Sequence, residues 1–224
     1  IILFLRLPRA ILAGLVGAGL SVSGATFQAL LRNPLADPYI LGVSSGAAVG
    51  AIIAILLGLG VSSFGLPLVS FLGALLSILA VFYCGRQEGR IHPHTLLLAG
   101  VIIGSFLSAL IMFFISLSQK EELRTIIFWL MGDFSFSNAR AILIVFPYIL
   151  LGVSLLYLRA RHLNLILSGE ESAVQLGVDA ERLKLISYLS ASLITAASVS
   201  VCGLIGFVGL IIPHSIRLIF GPDH

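Results

Sequence analysis

Apolar residues run along this chain in long unbroken stretches, neither alternating with polar ones nor confined to one helical stripe. Seven stretches approach the roughly 20 residues that a bilayer's hydrocarbon core requires: 8–31, 39–60, 64–84, 95–117, 140–159, 183–201 and 203–220. The third carries no charge at all. In lipid, backbone N–H and C=O groups must be satisfied within the protein, and a helix does this inside a single segment. The every-second-residue alternation of a membrane barrel is absent. The pattern therefore predicts an all-α, polytopic bundle of seven spans, the last two joined by a tight turn at Cys202-Gly203.

Small residues recur inside these stretches at i, i+4 and i+8: Gly17, Ser21 and Ala25; Gly42, Gly46 and Gly50; Gly100, Gly104 and Ser108. Such stripes let helix backbones approach closely and predict a compact bundle. Two connections are amphiphilic. Residues 118–138 predict a short interfacial helix with Trp129 as its aromatic anchor. Residues 159–184 predict an exposed helix over 170–176, capped by Ser168 with Glu171 three residues on and stopped by Gly177.

Composition moves the same way. Of 224 residues, 58% are hydrophobic and only 10% charged, against about 25% charged in soluble domains. Mean hydropathy is +1.12. The formal charge of +3 comes without a basic stripe interleaved with aromatics, so nucleic acid is set aside as a partner. Lysines and arginines divide unevenly between the two sets of connections. Arg32, Arg86, Arg90, Arg159, Arg161, Arg182, Lys184 and Arg217 fall on one side; Arg6, Arg9, Lys120, Arg124 and Arg140 fall on the other. The first set predicts the cytoplasmic face. Cys84 and Cys202 have no CxxC spacing and read as packing thiols. The chain opens at Ile1 within apolar sequence and stops at Asp223-His224, which reads as a piece of a longer chain.

The missing chemistry narrows the function. No GxxxxGK[ST] is present to cradle ATP phosphates, nor is there an HExxH, and no residues point to a catalytic or metal site. His92-Pro93-His94 offers imidazoles at i and i+2, which reads as a polar turn before a metal site. Ion-coupled carriers keep ionisable groups at membrane depth; here only His214 and Arg217 enter an apolar run. Energy for any transport would have to come from a partner.

The run RLPRAILAGLVGAGLSVSGATFQALLRNPLADPYILGVSSGAAVGA at 6–51 resembles the opening signature of the FecCD family of permeases for iron siderophores, haem and cobalamin. GLIGFVGLIIPHSIRLIFGPDH at 203–224 resembles the family's second signature, with LLLAGV at 96–101 and SGEESAVQLGV at 168–178 matching in order between them. The resemblance implies a single transmembrane permease domain over 1–224, incomplete at both ends, of the ABC importer type II kind. It implies a bacterial inner-membrane subunit with no ATPase site or cofactor of its own, since ATP and Mg belong to partner ATPase subunits. A periplasmic or lipid-anchored binding protein and a second permease copy are the other implied partners. Arg6 and Arg9 then resemble sockets for glutamates of the binding protein. Asn33 and Leu35, with Pro93 and His94, resemble two cytoplasmic gate segments. Gly169, Glu170, Ser172, Ala173, Leu176 and Gly177 resemble the part of a coupling segment, about 163–182, that docks on the ATPase. His214 and Arg217 match the second signature with no role beyond packing and anchoring. An iron-siderophore or related chelate is the implied cargo. Haem and cobalamin remain open within the family; an ion-coupled carrier or a membrane scaffold is the reading from outside it.

Overall fold

The computed structural model describes residues 2, 6–59, 64–87, 90–135 and 139–221. Residue 60 of the second predicted span, 136–138 of the predicted outer connection and 222–224 of the second signature lie outside them. Ten helices follow in order: α1 (Leu7–Leu30), α2 (Val43–Leu56), α3 (Gly65–Gly85), α4 (Pro93–Leu117), α5 (Lys120–Met131), α6 (Ala139–Tyr157), α7 (Ala160–Ser168), α8 (Glu170–Gln175), α9 (Ala180–Cys202) and α10 (Val208–Phe220). A single 3-10 turn, Pro38–Leu41, precedes α2. A hairpin of two-residue strands, β1 (Arg86–Gln87) and β2 (Arg90–Ile91), joins α3 to α4.

Among the described residues five helices, α1, α3, α4, α6 and α9, are long and apolar enough to cross a membrane. The two remaining predicted spans are shorter. The 14 residues of α2 and 13 of α10 extend about 20 Å at 1.5 Å per residue, against about 30 Å of hydrocarbon. Irregular backbone supplies the difference. Residues 38–42 lead into α2, and residues 203–207 lead into α10, with Gly203 and Phe207 at positive φ (71° and 68°). The tight turn expected at Cys202-Gly203 is thus a five-residue unwound segment.

These two irregular segments meet. The Tyr39 hydroxyl donates to the Ile205 carbonyl at 2.9 Å and accepts from the Ile205 N–H at 3.0 Å. One phenol therefore satisfies both backbone groups of a part-buried, unwound residue. Around it α1 and α10 touch backbone to backbone. A Cβ on Gly24 would run into the Gly209 peptide, and one on Gly209 would lie 2.8 Å from Pro38 Cδ. Arg217 donates to the Gln28 amide oxygen, so Arg217 is part of this junction rather than only an interfacial anchor.

The Gly42, Gly46 and Gly50 stripe packs as its spacing predicts. A Cβ at Gly46 would sit 2.6 Å from the Gly73 carbonyl, and Ser77 Oγ donates to the Gly42 carbonyl at 2.8 Å. Gly100 lies equally close to Ile40 and Leu41. The Gly17 stripe differs: open space faces Gly17, and the close approach on α1 belongs to Gly24 instead.

Helix α9 is the centre of the bundle, 72% buried over its apolar window against 17% for α4. Its Tyr188 is fully buried, donates to the Ile78 carbonyl at 3.0 Å and is flanked by the rings of Phe27 and Phe82. Helix α4 buries only Leu96, Ala99 and Gly100, all near its start. Trp129, expected at the interface, is buried with Ile126: α5, opened by a Gln119/Glu122 capping box, lays that face on the bundle, where the Trp129 carbonyl abuts Gly203.

Candidate functional site

The connection between α6 and α9 holds two helices where one was expected. Arg159 opens α7 without a side-chain cap, and α7 runs to Ser168. Gly169, at φ 142°, turns the chain and itself occupies the N-cap of α8. Ser168 is thus the last residue of α7 and not the cap of α8. Gly177, at φ 84° with open space around it, ends the elbow, and Asp179 caps α9 by accepting from the Arg182 N–H at 3.0 Å.

This elbow has a small core of its own. Leu163, Ile166, Ala173, Ala180 and Leu183 are buried together. Neighbouring positions in and just after α8 therefore have opposite fates. Ala173 is fully buried, whereas Val174 (55%) and Leu176 (69%) are exposed. Ser172 and Gly177 are exposed beside them. Of the six residues expected to meet a partner, Ala173 instead packs the elbow from within.

Glu170 is turned inward as well. Its Oε1 lies 2.5 Å from Lys184 Nζ, and its Oε2 lies 3.9 Å from Arg32 Nη2. The Lys184 side chain is only 5% exposed. A buried ammonium needs its three donors filled, and they are: by Glu170, by Glu181 Oε1 at 3.0 Å and by the Ile91 carbonyl at 3.2 Å. Glu181 Oε2 in turn accepts from the Ile91 N–H at 2.8 Å. Arg32 donates to the Ile166 carbonyl at 3.1 Å. Two cations and two carboxylates thus balance at the junction of four segments. Sequence reading placed Lys184 and Arg32 only as charges on the basic side; the i, i+3 pair Glu181 and Lys184 was the available signal.

The expected gate residues flank this node. Asn33 Oδ1 accepts from the Leu35 N–H at 2.9 Å, fixing a tight turn after Arg32, and Leu35 is 70% exposed. Two residues further on, Asp37 accepts from the Tyr39 N–H at 2.8 Å; burial pushes its carboxyl up, with that N–H pulling the other way. Pro93 and His94 lie in the first turn of α4 rather than in a loop, where Pro suits the missing intrahelical donor. Pro93 follows Ile91 by two residues. His92 and His94 are exposed, and among the described residues no group of three His, Cys, Asp or Glu side chains converges on a point.

Arg6 and Arg9 are exposed at the opposite end of the bundle. Arg9 donates to the carbonyls of Phe134 and Ser135 at 3.2 and 3.4 Å, so it also braces the loop after α5.

The FecCD transport family profile matches residues 1–224. The chain is 45% identical to the ABC transporter permease YvrB of Bacillus subtilis (strain 168), itself uncharacterized, over 100% of this chain and 64% of that protein. It is 44% identical to the cobalamin import system permease BtuC of Halobacterium salinarum, over 98% of this chain and 59% of that one. The hemin transport permease HmuU of Yersinia pestis is 39% identical over 98% of this chain and 67% of its own length. A solved inward-facing structure described as a metal-chelate type ABC transporter superimposes with a TM-score of 0.90 at 40% identity. That match covers 100% of this chain and 71% of that one. The chain thus spans about 60% of the length of the first two relatives.

Proposed function

The chain belongs to the FecCD transport family, and from that premise we propose that it is the membrane-spanning permease of an ATP-driven importer for an iron-siderophore or related metal chelate. The observation that carries the reading is the α7–α8 elbow. It leaves Val174 and Leu176 bare at the basic end of the bundle, beyond the membrane-length helices. Exposed apolar side chains on a small, separately packed unit suit a protein partner. A partner ATPase fits, because the chain carries no phosphate-cradling motif.

In this reading the basic end faces the cytoplasm of a bacterial inner membrane. The ATPase subunits, holding ATP and Mg, grip the Gly169–Gly177 region. A binding protein docks on Arg6 and Arg9 at the far end, with the salt-sensitive kinetics of rim charges. The outer two thirds of α4, exposing Val101, Phe106, Met112 and Phe113, face a second permease copy across the translocation path. Asn33, Leu35, Pro93 and His94 form the cytoplasmic constriction.

The test is uptake into proteoliposomes that hold the full-length permease, its ATPase and its binding protein. Ferric hydroxamate siderophore, haemin and cyanocobalamin are offered in parallel. The expected result is ATP-dependent accumulation of the siderophore that survives ionophores. Accumulation of haemin or cyanocobalamin instead would move the cargo to the chemistry of the haem or cobalamin relatives. Accumulation driven by an ion gradient without ATP would end the reading.

A further inference from the structure

Three inner segments, α8, α9 and the β1–β2 hairpin, converge on one buried ammonium, and the segment after α1 reaches it through Glu170. From this geometry we propose that Lys184 is the positioning residue that ties the α7–α8 elbow to both gate segments, so that the elbow and the gates move as one body. The proposal rests on the importer reading above.

Lys184 stands one turn inside α9, the most buried of the membrane-length helices. Its contact with Glu170 grips the first residue of α8. Through Ile91, α9 then holds the hairpin that feeds α4: Lys184 takes the Ile91 carbonyl and Glu181 takes the Ile91 N–H. Both backbone groups of one residue, two positions before Pro93, are therefore fixed by neighbouring side chains of a single helical turn. On its other oxygen Glu170 faces Arg32, which bonds the last turn of α7 through the Ile166 carbonyl. Arg32 directly precedes Asn33 and Leu35, and it holds a left-handed backbone at φ 49°, which an L-residue adopts only at a cost that its surroundings must offset. Glu170 thus sits between a cation leading to the α4 gate and a cation leading to the α1 gate.

A push on the exposed face of α8 has two routes into the permease. One is the apolar core of the elbow, which slides because dispersion contacts lack direction. The other is this set of charge-assisted contacts, which are directional and meet at the buried Lys184 ammonium. The second reaches the hairpin before Pro93 directly, through Ile91.

The experiment compares the complete transporter with the variants K184M and K184M/E181Q in lipid nanodiscs and proteoliposomes. The double variant removes one charge of each sign, which leaves Glu170 opposite Arg32 and no lone buried ion. Co-purification of the ATPase, hydrolysis with and without binding protein, and siderophore uptake are all measured. Expected for the double variant are intact co-purification, loss of stimulation by the binding protein, and uptake per ATP hydrolysed reduced at least tenfold. Restoring Lys184 alone, as E181Q, should return at least a third of that ratio. An unchanged uptake-to-hydrolysis ratio in the double variant overturns the role of Lys184 while leaving the importer reading intact. Failure of both variants to assemble makes Lys184 a structural brace and also overturns it. Absence of ATP-driven uptake in the unaltered transporter removes the importer reading, and this proposal with it.

Discussion

At the scale of single residues, the two stretches with the clearest sequence patterns turn out to need each other. Tyr39, from the first, holds both backbone groups of Ile205, from the second. Tyr39→Phe keeps the ring and removes the hydroxyl, leaving the part-buried N–H and C=O of Ile205 without this partner. Each such group costs about 1–3 kcal/mol. The variant should unfold in detergent at a clearly lower temperature than the parent, and an unchanged midpoint would show that the contact contributes nothing. A paired substitution tests the α1–α10 contact. Gly24→Ala drives a methyl into the Gly209 peptide, whereas Gly17→Ala meets open space. Overpacking of this kind costs about 1–3 kcal/mol, so thermal unfolding should shift for Gly24→Ala and hold for Gly17→Ala. Repeat spacing alone favoured Gly17, because periodicity reports that small residues share a face and not which neighbour fills it.

At the scale of elements, long apolar runs translated into helices wherever nothing interrupted them. The five membrane-length helices follow from hydropathy alone. The short pair, α2 and α10, were not legible as short. Their missing turns are unwound segments whose residues, such as Ile205 and Phe207, are as apolar as their helical neighbours, and hydropathy does not distinguish wound from unwound backbone. The elbow was half legible. Its amphiphilic composition and Gly177 were visible, but the division into α7 and α8 depends on Gly169 at φ 142° and on the packing of Leu163 and Ile166 against Ala173. That division sharpens a test of the ATPase contact. Leu176→Glu alters an exposed residue and should leave thermal stability within about 0.5 kcal/mol while cutting ATPase co-purification at least tenfold. Ala173→Glu places a carboxylate in the core of the elbow and should unfold it locally, seen as faster hydrogen exchange across α7 and α8. Full ATPase binding by Leu176→Glu would remove the elbow as the docking element.

At the scale of the whole molecule, charge sorts the two ends. Arg32 and Lys184 sit at the elbow beside the proposed gate segments, and Arg6 and Arg9 lie exposed at the far end. A consequence concerns docking of the binding protein. Arg6→Glu should slow its association severalfold at low salt and much less at high salt, because exposed charges beyond a Debye length are screened. Salt-independent slowing would point to a contact of another kind. Arg9→Glu carries a second effect, since Arg9 also braces the Phe134 and Ser135 carbonyls. It should therefore lower stability as well as association, which separates the two arginines experimentally.

The phenol that bridges the 3-10 turn before α2 and the unwound segment before α10 also limits how such a bundle can rearrange. Parting Tyr39 from Ile205 would break both hydrogen bonds to one residue's backbone at once. The Pro38–Leu41 turn, the start of α10 and the middle of α1 must then travel together through any working cycle, as a keystone does in an arch. Relative movement is left to whatever lies outside that stone, chiefly the sparsely packed outer part of α4.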